Sequence, residues 1–218
     1  MKMLKRALYV TMVTPLVISA VAFGFLPERI PAHYGFDGLV TRYGSRLEIF
    51  IGPLLYIAFG LFMLAMARFA GKQEHAGNHN NERVVLIAGI VILIVFNVLN
   101  LSSLYTAYRQ VDELYAESDL VRLMLALGGV SLVAIGAVMP KLNRNSLVGL
   151  RTKWSLSGDE AWRKSQRFGG ICLGITGILL FFLNAFLFSG VFSIVLSVIM
   201  ITVSILVSVI YTYWVAKD

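Results

Sequence analysis

Five stretches of the chain, 7–27, 49–67, 84–108, 123–140 and 168–216, hold no charged side chain, and only short polar segments separate them. A helix of about 20 apolar residues crosses the hydrocarbon of a bilayer, so each of the first four stretches predicts one crossing. The fifth is too long for a single crossing and carries a turn signal at Ser189 and Gly190, where it is expected to fold back. The pattern predicts an all-α, polytopic membrane bundle of six transmembrane helices. It is expected to form one membrane domain over 1–218. A four-helix part, 1–140, carries a loop at 27–46, and the part 141–218 holds a second loop and a helix pair.

Composition removes the alternative of a soluble domain: 58% of residues are hydrophobic, 14% are charged, and the mean hydropathy is +0.78. The net charge of +7 has a topological reading, because basic loops stay on the side from which a chain is inserted. With both termini in the cytoplasm, 14 of the 19 Lys and Arg lie inside, and Arg29, Arg42, Arg46, Arg109 and Arg122 lie outside. An N-in/C-in orientation is expected, with membrane lipid rather than nucleic acid meeting the basic residues. Ala20, Val21 and Ala22 resemble a signal-peptidase site, but the apolar run continues through Phe23, Phe25 and Leu26 and reads as a retained anchor. The single cysteine, Cys172, falls inside a span, so it says nothing about redox compartment.

The outer loop 27–46 has Pro27, Pro31, Gly35, Gly38 and Gly44 to set turns, and Tyr34, Phe36 and Tyr43 to pack. An ordered loop across the mouth of the bundle is expected. His33 reads as a partner contact, a pH-responsive group or a metal ligand with Asp37 or Glu28; the plainer reading is a hydrogen bond that orders the loop. Metal sites need three or four suitable ligands, so no metal is assigned. His75 and His79 stand four apart in a segment rich in Gly and Asn, which reads as a solvated loop and receives no site.

The inner loop 141–167 mixes basic, aromatic and turn residues, and Ser157 stands three before Glu160, the pattern of a capping box. A helix starting there would carry Trp162 and Phe168 toward the membrane interface. One reading makes the segment a simple interfacial anchor. The other makes Asn145, Gly149, Arg151, Thr152 and Trp154 one folded unit, in which Arg151 donates to neighbouring carbonyls or to a partner's carboxylate.

Both loops resemble one family, the SdpI-type membrane proteins, named for an immunity protein against a secreted sporulation-delay toxin. The outer signature is a proline, a second proline four residues on, then x-His, an aromatic and a glycine, here Pro27, Pro31, His33, Tyr34 and Gly38. The family shares this half with a widespread domain of unknown function. The inner signature resembles Asn145, Gly149, Arg151, Thr152, Trp154, Ser155 and Leu156, followed by Asp159, Glu160 and Trp162. Lys153 stands where the family often has proline, and Arg46 near a family lysine, so the toxin need not be the one that names the family. The resemblance implies protection from a toxin peptide arriving from outside, with capture of a cytosolic transcriptional repressor as a further possibility. It implies no cofactor and no enzymatic activity.

Inside the spans, Gly170, Gly174, Gly177 and Asn184 share one helical face, as do Gly190, Ser193, Ser197, Ser204 and Ser208. Such faces are expected to pack inward, and Asn97 and Asn100 to bond between helices. A small-solute or ion transporter also fits six spans, but no Asp, Glu, Lys, Arg or His lies within any predicted span to couple ions. A membrane enzyme acting on lipid or cell-wall precursor finds no HExxH, GxSG or GxGD pattern.

Overall fold

The computed structural model describes residues 1–35, 37–72, 79–114, 118–145 and 147–217, with only the backbone described at 118–120. Phe36 and His75 therefore lie outside the described residues. Among the described residues the six long helices are α1 (Lys2–Ala22), α2 (Ile51–Lys72), α3 (Asn80–Arg109), α4 (Ser118–Val138), α5 (Asp159–Phe182) and α6 (Gly190–Val215). All six are long and apolar enough to cross a membrane, so the chain is a multi-pass helical membrane protein. The expected fold-back is present: the last turn of the fifth span widens to a π turn over Leu183–Leu187, and α6 starts at Gly190, whose φ is +65°.

Helices α1, α2 and α3 pack on one another, and α4, α5 and α6 form a second group that joins the first along α3 and α4. The α4–α5 contact brings the two backbones close. A Cβ placed on Gly129 would stand 2.6 Å from the Gly177 carbonyl oxygen, and one on Gly136 would stand 2.5 Å from that of Gly170. Gly174 has open space where its own Cβ would be, though its backbone nitrogen is 3.0 Å from the Cβ position of Gly136. Small residues thus permit this contact without a hydrophobic driving force. The α6 face of Ser193, Ser197, Ser204 and Ser208 is buried, and Thr212 extends it, while Val195, Val198, Ile199 and Leu206 face outward. Polar faces inside and apolar faces outside are what lipid as solvent requires.

Asn184 joins α5 to α6. Its amide donates to the Leu180 carbonyl at 2.8 Å and to Ser197 Oγ at 3.2 Å, and its side-chain oxygen accepts from Ser193. Asn97 and Asn100 do comparable work between α3 and α1. Pro15 sits inside α1 and has no N–H, so the carbonyl of Thr11, four residues earlier, loses its helical donor. The Asn97 amide donates to that carbonyl at 2.8 Å. Asn100 reaches the Pro15 carbonyl at 3.4 Å and Ser19 Oγ at 3.3 Å.

Asn97→Leu is expected to cost about 1–2 kcal/mol, because it strands a carbonyl in an apolar medium. In a Pro15→Ala background, where α1 supplies its own donor, the same change is expected to cost no more than about 0.5 kcal/mol. A double-mutant cycle by denaturation in mixed micelles measures the coupling; additive costs would remove the proline-repair account.

Candidate functional site

The two loops singled out by the sequence fold at opposite ends of the bundle. The outer one is not irregular: its backbone forms an antiparallel hairpin of β1 (Arg29–Tyr34) and β2 (Val40–Ser45), which the sequence reading did not foresee. The register slips between Pro31 and His33 and again before Tyr34, so the strands bend. Asp37 builds the turn by accepting the Leu39 N–H at 3.0 Å, and Gly38 supplies a φ of +80°.

The hairpin is fastened to the chain between α3 and α4. Tyr34 Oη donates to the Val111 carbonyl at 2.8 Å, Val40 N–H to the Asp112 carbonyl at 3.0 Å, and Leu114 N–H to the Gly38 carbonyl at 2.8 Å. Tyr43 Oη donates to the Asp112 carboxylate, and this bond is the first cause of a phenol pKa raised above its ordinary value. Burial, foremost, raises that of Tyr34. Both phenols therefore stay protonated donors through neutral pH. Arg42 makes a two-pronged contact with Glu48, at 3.0 and 2.7 Å, which ties β2 to the start of the second span. Ile30 and Leu26 pack with Ile49, Leu104 and Ala107 beneath the strands.

His33 is exposed, and its Nδ1 lies 2.6 Å from Thr41 Oγ1 across the hairpin. That is the loop-ordering bond, and it leaves the opposite edge of the ring in solvent. Among the described residues no cluster of three metal-ligating side chains exists. Pro31 is buried and Pro27 exposed.

The inner loop is a folded unit built on backbone satisfaction. Asn145 Oδ1 accepts the N–H groups of Leu147 and Val148, both at 2.8 Å, and its amide donates to the Asn143 and Val148 carbonyls. The Thr152 and Ser155 hydroxyls each accept the other's N–H at 2.9 Å. Thr152 Oγ1 also lies 2.8 Å from Thr212 Oγ1 on α6, while Trp154 meets Tyr213 edge-on at 5.2 Å. Gln166 holds the centre: its amide accepts the Leu150 N–H and donates to the Leu150 carbonyl, both at 2.9 Å, and it is fully buried. Gly149, at a φ of +103°, would place a Cβ 2.6 Å from Gln166 Oε1. Any side chain there would be strained and would also displace the amide.

Three expectations are corrected. The capping box does not form, because α5 begins after an extended Gly158 and the Ser157 hydroxyl donates instead to the Trp154 carbonyl at 2.7 Å. Trp162 does not lie at the lipid interface. It is 2% exposed, donates from Nε1 to the Leu142 carbonyl at 2.8 Å, and packs with Val84, Val138 and Met139. Of the two readings of Arg151, the bond to neighbouring carbonyls is not formed among the described residues, and its side chain is exposed. Gln166, Asn81 (which accepts the Asn143 N–H at 2.9 Å) and Thr212 were missed. A signal for Gln166 was present: it stands four residues after Trp162 and three before Gly169, on one buried face of α5.

Comparison with known proteins places these two units. Residues 141–212 match the SdpI/YfhL protein family, and residues 10–57 match a domain of unknown function, DUF1648. The chain is 27% identical over 171 residues to the immunity protein SdpI of Bacillus subtilis (strain 168), covering 77% of this chain and 75% of the relative. No solved structure matches it significantly.

Gln166→Leu and Gly149→Val are each expected to open the inner loop, since each leaves the Leu150 backbone without its partner at a cost of about 1–3 kcal/mol. Limited trypsin digestion of the protein in detergent, followed by mass spectrometry, should show faster cleavage after Arg151 and Lys153 than in wild type. Unchanged cleavage would show that the amide clamp does not hold the loop.

Proposed function

We propose that this chain, a member of the SdpI-type family, is an immunity protein of the bacterial cytoplasmic membrane. Its hairpin contacts a secreted, membrane-active peptide, and its inner loop meets a cytosolic partner. The observation that carries the reading is the placement of both family signatures as ordered, separately fastened units at opposite ends of one bundle. A relative that is an immunity protein supports the class of function. The hairpin offers the exposed His33 and Asp37 to a ligand arriving at its end, with Gly38 buried behind them to shape the turn. The inner loop offers Arg151, with Lys153 over the Trp154 ring at 5.1 Å, to an acidic surface such as that of a repressor protein. Nothing in this reading requires a cofactor or a covalent step.

Orientation follows from the charge count, and an accessibility experiment checks it. In a Cys172→Ser background, Asp37→Cys is expected to react with an impermeant maleimide on intact cells, and Lys153→Cys only after permeabilisation. Reaction of both on intact cells would remove the two-sided arrangement.

The function itself is tested by survival. Expression in a strain sensitive to peptides encoded beside this chain's gene should raise survival under challenge, and His33→Ala or Arg151→Ala should lower it at equal membrane abundance. Equal killing with and without expression would remove the immunity reading.

A further inference from the structure

The last third of α6 changes its chemistry step by step along one face. Val203, Val207, Ile210 and Trp214 follow one another at helical spacing and all are exposed, and the exposed Lys217 comes three residues later, just past the end of the helix. From Val203 to Tyr213 the helix rises about 15 Å, half the hydrocarbon thickness of a bilayer, so the apolar stripe spans one leaflet and the rings stand where its headgroups begin. The inner loop adds to this end. Trp154 meets Tyr213 edge-on at 5.2 Å, and the contact of Thr152 with Thr212 at 2.8 Å holds the two segments together. Lys153 Nζ lies over the Trp154 ring at 5.1 Å, and Lys217 Nζ lies 4.4 Å from the Tyr213 ring and 5.9 Å from that of Trp214. The cluster thus gathers two ammonium groups, two indole N–H groups and one phenol hydroxyl. None of these five has a hydrogen-bond or ion-pair partner among the described residues. Trp162 is the contrast: it is buried, and the Leu142 carbonyl accepts its N–H.

We infer that this cluster binds one anionic phospholipid of the leaflet at the inner-loop end, its phosphate shared by Lys153 and Lys217 and an acyl chain lying along Val207 and Ile210. Two features choose the occupant. All five polar ends can donate, and a phosphodiester with its neighbouring ester oxygens only accepts; the two ammonium groups, with no carboxylate paired to either, ask for negative charge. Directly below the rings the exposed face is apolar for a whole leaflet, so a ligand that covers both parts carries a charged end and a hydrocarbon end in that order. An acidic protein surface would meet the lysines and leave the stripe untouched. A lysine lying over a ring still has N–H groups turned away from it, and those reach the phosphate. Lys153 is then held by lipid, and Arg151, which makes none of these ring contacts, remains for a cytosolic partner. The inference goes beyond the immunity reading and does not depend on it.

Fluorescence quenching by lipids brominated in the acyl chains tests this with the full-length protein in phosphatidylcholine vesicles. Trp154 and Trp214 report on the site, and the buried Trp162 supplies a constant background. A small fraction of brominated phosphatidylglycerol should quench more than the same fraction of brominated phosphatidylcholine, with a preference of at least about fivefold, the factor that one lysine near anionic lipid contributes. Lys153→Gln with Lys217→Gln should bring the preference close to one, and Lys153→Arg with Lys217→Arg should keep it. Lys141→Gln with Lys164→Gln removes the same charge from the same end of the bundle and should leave the preference as in wild type. Equal quenching by the two lipids in wild type would overturn the inference and leave both lysines to a protein partner. A preference that survives the first glutamine pair, is lost in the arginine pair, or falls equally in the Lys141 and Lys164 pair would also overturn it. If the first glutamine pair fails to accumulate, Lys217→Gln alone decides, with the preference expected to fall. Survival under peptide challenge is a separate measurement, so loss of either result leaves the other standing.

Discussion

A carbonyl that has lost its helical donor inside hydrocarbon must be served by another part of the protein, and at Thr11 that service comes from the Asn97 amide. The need arises from Pro15, and meeting it fixes α1 against α3 at one depth and one rotation. Asn100 and Ser19 add a side-chain bond between the same helices one turn further along, and Asn184 ties the end of the fifth span to Ser193 and Ser197 of α6. Apolar packing cannot choose among helix partners when the solvent is itself apolar. These amides and the close glycine pairs of α4 and α5 therefore carry the specificity of the bundle.

The same requirement governs the two ends. Irregular backbone at the membrane margin is tolerable only where protein satisfies it, and the inner loop meets that condition through Asn145, Ser155, Gln166 and Trp162. At the other end a two-stranded hairpin satisfies part of its backbone through its own ladder and part through the chain after α3. Helix α3 takes part in both. Asn81, near its start, accepts from Asn143 of the inner loop, and Gln110, the left-handed residue that ends it, donates to the Arg29 carbonyl at the base of the hairpin.

The spans were legible because hydropathy reports the bilayer directly, and the inward serine face of α6 because its spacing matches a helix. The hairpin was not. Its strands contain Pro31 and Gly44, and β2 has no buried residue, so the alternation that marks a half-buried strand is missing. For the inner loop the sequence left an interfacial anchor and one folded unit as alternatives, and geometry favours the unit; its distant partners were hidden because Gln166 lies 16 residues beyond Leu150 and Thr212 60 beyond Thr152. Trp162 was misplaced for a related reason. A tryptophan among Arg163, Lys164 and Arg167 has the composition of an interface anchor, and only the position of the Leu142 carbonyl turns it inward.

The differing quality of the helix contacts bears on how the ends are related. Between α4 and α5 the backbones meet at glycine, with no side chain to yield, and between α1 and α3 amides fix the depth. Between α3 and α4 a space of about 330 Å³ remains, lined also by Leu180 of α5 and Ser197 and Ile201 of α6. Relative movement of the two three-helix groups therefore meets least resistance at this seam. Because α3 is bonded to the hairpin at one end and to the inner loop at the other, a tilt of α3 against α4 displaces both loops together.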